Sequence, residues 1–268
     1  MRADEVFAGS IPENYDRYLV PLIFASYAVD LAERAASLSP EKALEIAAGT
    51  GVLTRALTAR LSARASYTAT DLNQPMLDYA ASQQPAGRTT WRQADALALP
   101  FEAGAFDLVC CQFGAMFFPD RRLAYREAKR VLRPQGHLLF NVWDRIEENI
   151  FAYEVTKALA EMFPTNPPRF LARTPHGYHE TALIREELED AGFSLVEFET
   201  RAAHSRAPLA MLAALAYCHG TPLRGEIEAF GAGALEAATA HVAARLAERC
   251  GSGPVSAKVQ AHIIVALS

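Results

Sequence analysis

The chain has little cysteine for its length. Four thiols in 268 residues, Cys110, Cys111, Cys218 and Cys250, show neither paired metal-ligand spacing nor the density of a disulfide-stapled secreted scaffold, so a reducing compartment, the cytoplasm, is expected. It also lacks any run of lysine or arginine. With 26 basic against 31 acidic side chains and a formal net charge of −5, it has no surface built to hold a nucleic-acid backbone, and no nucleic-acid partner is expected. Long hydrophobic runs are missing too: the apolar stretches near 19–31 and 207–218 are shorter than a bilayer span. Asp4 and Glu5 stand where a secretion signal would carry lysine, so neither a membrane span nor a leader is expected. No internal repeat or low-complexity tract is present. What remains is 51% hydrophobic and 21% charged, the balance of a globular protein, at a length that suits one domain with insertions.

Along the chain, short apolar strands alternate with helices. Residues 13–38 suggest helices broken at Pro21, with Tyr15, Tyr18, Leu22, Ile23 and Phe24 as bulky anchors. Lys42–Ala47 reads as a strand, Ala48-Gly-Thr-Gly51 as a turn and Val52 to about Ala63 as a helix, half of a βαβ unit. Ser66–Asp71 follows as a second strand, Pro75–Ala81 as a helix with proline in its first turn, and Thr89–Gln93 as a third strand. Phe106–Gln112 is almost unbroken apolar sequence, as in a strand buried on both faces of a parallel sheet. Arg121–Leu132 is a helix stopped by Pro134 and Gly136, and Gly136–Trp143 a fifth strand. Residues 145–180, with Pro164, Pro167, Pro168 and Pro175, read as irregular cover. Thr181–Ala191 is a helix, Phe193–Glu199 an edge strand, 207–250 helical and Ala261–Leu267 a last strand.

This order predicts an α/β fold: a Rossmann-like, doubly wound, mostly parallel seven-stranded sheet with helical cover segments, binding its ligand outside the carboxyl ends of the strands. A single domain is expected over 1–268. It comprises a helical cap at 1–40, a cofactor-binding core at 41–144, acceptor-cover segments at 145–180 and 201–254, and the remaining sheet core at 181–200 and 255–268.

The chemistry concentrates at strand ends. In Glu45-Ile-Ala-Ala-Gly-Thr-Gly51 the glycines let the backbone pass close to a ligand where a Cβ would intrude, and a side chain at Gly51 is expected to strike that ligand. A dinucleotide fingerprint needs a third glycine where Thr54 stands, which argues against a nicotinamide cofactor. Glu45, on the strand ahead of the turn, suits a ligand with a positive amino group and would repel a pyrophosphate. Asp71 ends the second strand twenty residues past Gly51, where an acid can accept both hydroxyls of a ribose. Asp95, at the end of the third strand, can accept from an exocyclic amine such as N6 of adenine, with Leu72 and Met76 placed to sandwich the ring. Amine, ribose and adenine together describe S-adenosylmethionine.

Across about 41–144 the sequence resembles the class I S-adenosylmethionine-dependent methyltransferases, in particular the small-molecule branch of the ubiquinone/menaquinone-biosynthesis type. The resemblance is carried by Ala43-Leu-Glu-Ile-Ala-Ala-Gly-Thr-Gly-Val-Leu-Thr54, by Thr70-Asp-Leu-Asn73 with Met76, and by Ala94-Asp-Ala-Leu-Ala-Leu-Pro-Phe101 with Ala105-Phe-Asp-Leu-Val109. It continues through Cys111-Gln-Phe-Gly-Ala-Met-Phe-Phe-Pro-Asp120, Glu127-Ala-Lys-Arg-Val-Leu-Arg-Pro-Gln-Gly136 and the strand ending at Trp143. The resemblance implies that Glu45 holds the methionine amino group with the backbone of Ala47 and Gly49 nearby, Asp71 the ribose, Asp95 and Ala96 the adenine, and Gln112 and Phe113 the methionyl side near the reacting sulfur. Two positions depart from the pattern. Ala48 replaces the Gly or Cys of many relatives, and the fourth strand ends Cys-Gln-Phe-Gly without the Asn/Asp-Pro-Pro-Tyr motif of enzymes that methylate amino groups of nucleic acids.

The expected function is methyl transfer from S-adenosylmethionine to an oxygen, nitrogen or carbon of a small-molecule acceptor, with S-adenosylhomocysteine as the product. The acceptor's identity and the oligomeric state stay open. Tyr18 and Tyr178 are the candidate acceptor residues, and His179 the candidate base, because the cover segments are the chain left over once the strand ends are committed. His176 and His179 have no further ligands at compatible spacing, so no metal is expected. A non-catalytic S-adenosylmethionine-binding protein, and less readily a nicotinamide-dependent oxidoreductase, are the alternatives.

Overall fold

A computed structural model describes residue 7, residues 9–84 and residues 87–268. Asp4 and Glu5, on which the expectation of no leader rests, lie outside the described residues. Seven strands form one sheet in the order β3-β2-β1-β4-β5-β7-β6. They are β1 (Lys42–Glu45), β2 (Ser66–Asp71), β3 (Thr90–Gln93), β4 (Phe106–Gln112), β5 (Leu132–Trp143), β6 (Ser194–Ala207) and β7 (Val255–Leu267). β1 runs parallel to β2 and β4, β2 to β3, and β4 to β5. β7 is antiparallel to β5, since Ser268 N–H donates to Gly136 O while Asp144 N–H donates to Gln260 O. The chain thus has the predicted mostly parallel Rossmann-like sheet with flanking helices. The β1/β4 junction, where the strand order reverses, is where such sheets open a crevice.

The chain divides into two compact units. One comprises Ser26–Val142, His179–Arg201 and Ala261–Ser268. Its core is β4, whose seven residues are all buried, as an apolar strand covered on both faces must be. Its helices are α2 (Ala25–Ser37), α3 (Val52–Thr58), α4 (Gln74–Ser82), α5 (Arg121–Val131) and α8 (Thr181–Asp190). α5 shows why such a charged segment is helical: Asp120 caps it by accepting from Leu123 N–H, Ala124, Tyr125, Ala128 and Val131 form its buried stripe, and Lys129 and Arg130 sit in its last turn. At the amino ends of the strands, Asp107 accepts from the backbone N–H groups of Glu41 and Lys42.

The other unit comprises the described residues up to Ala25, Trp143–Tyr178 and Ala202–Gln260. It is mainly helical: α1 (Ile11–Asn14), a π-helical stretch over Tyr15–Phe24, α6 (Ile150–Met162), α7 (Phe170–Arg173), α9 (Ala210–His219), α10 (Leu223–Glu228) and α11 (Ala234–Cys250). Within this unit, just past the end of β5, a polar knot joins Asp144, Arg145 and Asn149 to Gln260 on β7. Asn149 Nδ2 donates to the carbonyls of Asp144, Arg145 and Gln260, Gln260 N–H donates to Asn149 Oδ1, and Gln260 Nε2 donates to Asp144 Oδ2.

Several local expectations are corrected. Pro21 does not break the amino-terminal helix: the chain passes through it in π register, and Ala25 N–H reaches back to Val20 O. The wider turn relieves the clash between the proline ring and the preceding carbonyls. α3 ends at Thr58 rather than near Ala63. The fifth strand starts at Leu132, so Pro134 lies inside it, tolerated because the pairing shifts between Phe106 and Leu108 and Gln135 adopts φ +66°, the signature of a bulge. β6 and β7 are longer than expected. Residues 145–180 hold a 13-residue helix, α6, with Phe151, Ala152, Val155, Ala158 and Leu159 buried. That helical spacing was legible but overshadowed by the prolines that follow it.

Candidate active site

The carboxyl end of β1 carries Glu45 into the turn Ile46–Gly51. Glu45 is buried, and its Oε2 accepts from Thr54 Oγ1 at 2.5 Å and from the Tyr67 hydroxyl at 2.6 Å. Thr54, read from sequence only as a missing glycine, therefore orients the acid, and Tyr67 on β2 is a partner the sequence did not disclose. Burial raises the Glu45 carboxyl to about 7 against the pull of the two hydroxyls, with the Asp71 charge adding to the rise and Arg55 opposing it.

Ala47 and Gly49 both take left-handed backbone, at φ +54° and +56°. Gly49 N–H donates to Asp71 Oδ2 at 2.8 Å, and Asn73 N–H donates to Asp71 Oδ1 at 2.8 Å. Asp71 is buried at the end of β2 and its carboxyl is raised by that burial, opposed by the N–H groups of Asn73 and Gly49. Oδ2 keeps a further lone pair for a ligand hydroxyl, while Oδ1 is also approached by the Asn73 side-chain amide at 3.5 Å. In the same turn as Gly49, Thr50 Oγ1 is buried without a hydrogen-bond partner among the described residues.

The two glycines of the turn serve different ends. A Cβ on Gly49 would have only Met76 Cε near it, at 3.9 Å, so the space there is open to a ligand. A Cβ on Gly51 would stand 3.1 Å from Ala80 Cβ and 3.3 Å from Trp91 Cη2, at φ +80°. A side chain at Gly51 therefore strikes α4 and β3 within the protein itself, whatever it would meet in a ligand. Gly51→Val should lower the melting temperature by several degrees, because left-handed backbone costs roughly 1–2 kcal/mol for an L-residue before any clash, and each kcal/mol is worth about 2–4 °C in a domain of this size. A melting curve matching the wild type would refute this.

At the carboxyl end of β4, Phe113 also sits in left-handed backbone, φ +51°. Its N–H donates to Asn141 Oδ1 at 2.9 Å and to Asn141 O at 3.2 Å, from the adjacent β5, and its ring meets the Tyr27 ring edge-on, centroids 5.5 Å apart. Such backbone costs a bulky residue on the order of 1–3 kcal/mol, so the surroundings must hold it. Gln112 is buried and lies in register with Asn141. Gly114 closes this turn against the first one: a Cβ there would lie 2.5 Å from Ala47 Cβ and 2.7 Å from Cys111 Sγ.

Asp95 is exposed, two residues beyond the end of β3 rather than on it, and its Oδ1 accepts from Leu97 N–H, which makes it a turn cap as well as a candidate ligand. Leu72 and Ala96 are half-buried and Met76 is buried. Glu45, Ala47, Gly49, Gly51, Asp71, Leu72, Met76, Asp95, Ala96, Gln112 and Phe113 all fall in the unit built around β4. His179 belongs to the same unit and its Nε2 faces Glu180 at 3.1 Å. Tyr18, under the Arg17 guanidinium, and the buried Tyr178 fall in the helical unit. So does His176, the buried histidine of the pair, whose Nδ1 lies 2.9 Å from Asp144 O and therefore carries the ring hydrogen in the neutral form. No group of three or more His, Cys, Asp or Glu among the described residues could hold a metal ion, and no helix among them is long and apolar enough to cross a membrane.

The site is an acid-flanked, glycine-opened turn beside a second acid and a strained aromatic turn, with one buried hydroxyl in want of a partner. These features suit a ligand that brings hydroxyls and a cation. Residues 44–140 match a family described as a methyltransferase domain. A ubiquinone/menaquinone biosynthesis C-methyltransferase (UbiE) of Paraburkholderia phymatum is 28% identical over 167 residues, covering 59% of this chain and 69% of that protein. A mitochondrial 2-methoxy-6-polyprenyl-1,4-benzoquinol methylase of Caenorhabditis elegans is 29% identical over 177 residues, covering 59% and 60%. In fold, the chain is similar to the crystal structure of a candidate methyltransferase from Bacillus halodurans, with a TM-score of 0.58 and 20% identity over 90% of this chain and 98% of that one.

Proposed function

We propose that this chain, a class I S-adenosylmethionine-dependent methyltransferase similar to the ubiquinone/menaquinone-biosynthesis type, transfers its methyl group to an oxygen, nitrogen or carbon of a small molecule. The observation that carries the reading is the turn in which Gly49, open to a ligand on its Cβ side, is tied by its N–H to the buried Asp71. Bound there, S-adenosylmethionine supplies a methyl carbon already activated by the sulfonium. Glu45 would hold the methionyl ammonium, its carboxylate oriented by Thr54 and Tyr67. Asp71 would accept from the ribose, and Asp95 and Ala96 would meet the adenine between Leu72 and Met76. Gln112 and Phe113 would border the methionyl end with Ala47. No chain group need attack the methyl carbon. Catalysis then rests on holding acceptor, methyl and sulfur in line, worth up to about 7–11 kcal/mol at best.

On the acceptor side, the names of the two relatives support a carbon of an electron-rich hydroxylated ring as the first acceptor to try. The acidic charge and the Cys-Gln-Phe-Gly ending of β4 favour a small molecule over nucleic acid, and the cytoplasm remains the compartment proposed. Tyr18, Tyr178 and His179 belong to the acceptor side in this reading, His179 as a base where the acceptor must lose a proton. Incubation with methyl-labelled S-adenosylmethionine and a panel of hydroquinones, phenols and amines should yield one labelled product class. Cofactor binding with no transfer to any of them would favour the non-catalytic alternative. With the acceptor in hand, Tyr178→Ala and His179→Ala should keep cofactor affinity within about threefold while lowering turnover roughly ten- to a thousandfold. Loss of cofactor affinity with normal turnover would remove both residues from the acceptor side.

A further inference from the structure

Along β5 a carboxamide stands in an apolar run: Leu138, Leu139, Phe140, Val142 and Trp143 are buried on either side of Asn141, which is itself 0% exposed and faces Gln112 in register on β4. An apolar side chain of similar shape would pack there without polar atoms to satisfy. Half of this amide has a partner, since Oδ1 accepts from Phe113 N–H. The other half has none, as Nδ2 is buried without an acceptor among the described residues. A buried amide kept under those terms is retained for what Oδ1 does, and Oδ1 together with the Asn141 carbonyl grips the N–H of a residue in left-handed backbone.

We propose that Asn141 is a positioning residue for methyl transfer: its side-chain oxygen holds the Phe113 backbone, and through it fixes the end of β4 against the sulfonium end of the cofactor, an assignment that rests on the placement of Gln112 and Phe113 given above. Asn141 need not touch the cofactor. Without its oxygen, Phe113 relaxes toward ordinary backbone, the ring leaves Tyr27, and the surface that distinguishes the methylated sulfonium from the neutral thioether of S-adenosylhomocysteine shifts. The adenosine end, held by Asp71 on the other side of β1, stays in place.

The test compares affinities for S-adenosylmethionine, S-adenosylhomocysteine and adenosine by calorimetry in the full chain. Asn141→Leu removes the acceptor while keeping the branched outline of the side chain, whereas Asn141→Asp keeps an oxygen for Phe113 N–H. The Leu variant should bind S-adenosylmethionine at least tenfold more weakly, with S-adenosylhomocysteine and adenosine within threefold of wild type, and the Asp variant should bind S-adenosylmethionine no worse than threefold below wild type. Should the Leu variant fail to fold, Asn141→Ala read in the same way replaces it. Equal losses for all three ligands, tracking a lower melting temperature, would reduce Asn141 to a structural role and overturn the proposal, as would no loss at all. Gln112→Leu separates the two levels. If that variant also leaves the preference between the two sulfur ligands unchanged, the placement of the β4 end is wrong. If it alters the preference while Asn141→Leu does not, only the proposal for Asn141 falls.

Discussion

Glu45→Gln should give a protein that is more stable than wild type at pH 8 and binds S-adenosylmethionine at least thirtyfold more weakly. Both effects come from one buried group. With its carboxyl raised to about 7 by burial and an ordinary value of 4.5 once unfolded, Glu45 keeps its proton in the folded state over a window where the unfolded chain has released it. Its contribution to stability is therefore fully present below pH 4.5, declines across the window, and is lost above about pH 7. Two and a half pH units are worth on the order of 3 kcal/mol. Glutamine retains an oxygen for Thr54 and Tyr67 but cannot ionise, so the slope disappears. Binding has the opposite sign: an ammonium on the ligand favours the charged acid, so wild-type affinity should climb as pH rises toward 7 and level off above it. Removing one partner of a buried charged pair costs about 2–5 kcal/mol. Denaturant unfolding and calorimetric titration at pH 5, 6, 7 and 8 check both. Parallel pH dependence of stability in the two proteins would show that Glu45 does not titrate in this window.

The second large effect belongs to Asp71. In Asp71→Ala the N–H groups of Gly49 and Asn73 lose the carboxylate they now share, and a bound ribose loses its acceptor as well. Bonds to a charged group contribute about 1.5–3 kcal/mol each, so cofactor affinity should fall at least tenfold, and more if the turn around Gly49 loosens. Asp71→Asn keeps one oxygen, which can serve either Gly49 or Asn73 but not both, and should fall between alanine and wild type. Unchanged affinity in the alanine variant would withdraw the ribose assignment.

The sequence made the sheet legible because a parallel α/β fold writes itself locally. Apolar strands such as Phe106–Gln112 and amphipathic helices such as Arg121–Val131 need no distant information to be recognised. Glu45, the glycine turn and Asp71 were legible for the same reason, as their spacing along a βαβ unit is short and fixed. What escaped depends on neighbours brought from elsewhere in the chain. What a Cβ at Gly51 would meet is set by where Ala80 and Trp91 pack, and the partners of Glu45 include Tyr67 from the next strand. Asn141 does carry a signal of its own in the sequence, a carboxamide inside an apolar strand. Pro21 breaks an α-helix but is accommodated in π register, and α6 carries a helical periodicity of its own immediately ahead of the prolines at 164, 167 and 168.

The close approach of Gly114 to Ala47 and Cys111 sets a limit on how the protein can be rebuilt. Chimeras that exchange the β1 turn for that of another methyltransferase, while leaving the β4 turn as it is, put a foreign residue where there is room for nothing larger than Ala47. A Gly114→Ala change alone would meet both neighbours within 3 Å. Segments 45–51 and 111–115, whose Ala47 and Gly114 stand 67 residues apart in sequence, therefore form one inheritable block. A library that recombines them independently should be depleted of folded members relative to one that carries them together.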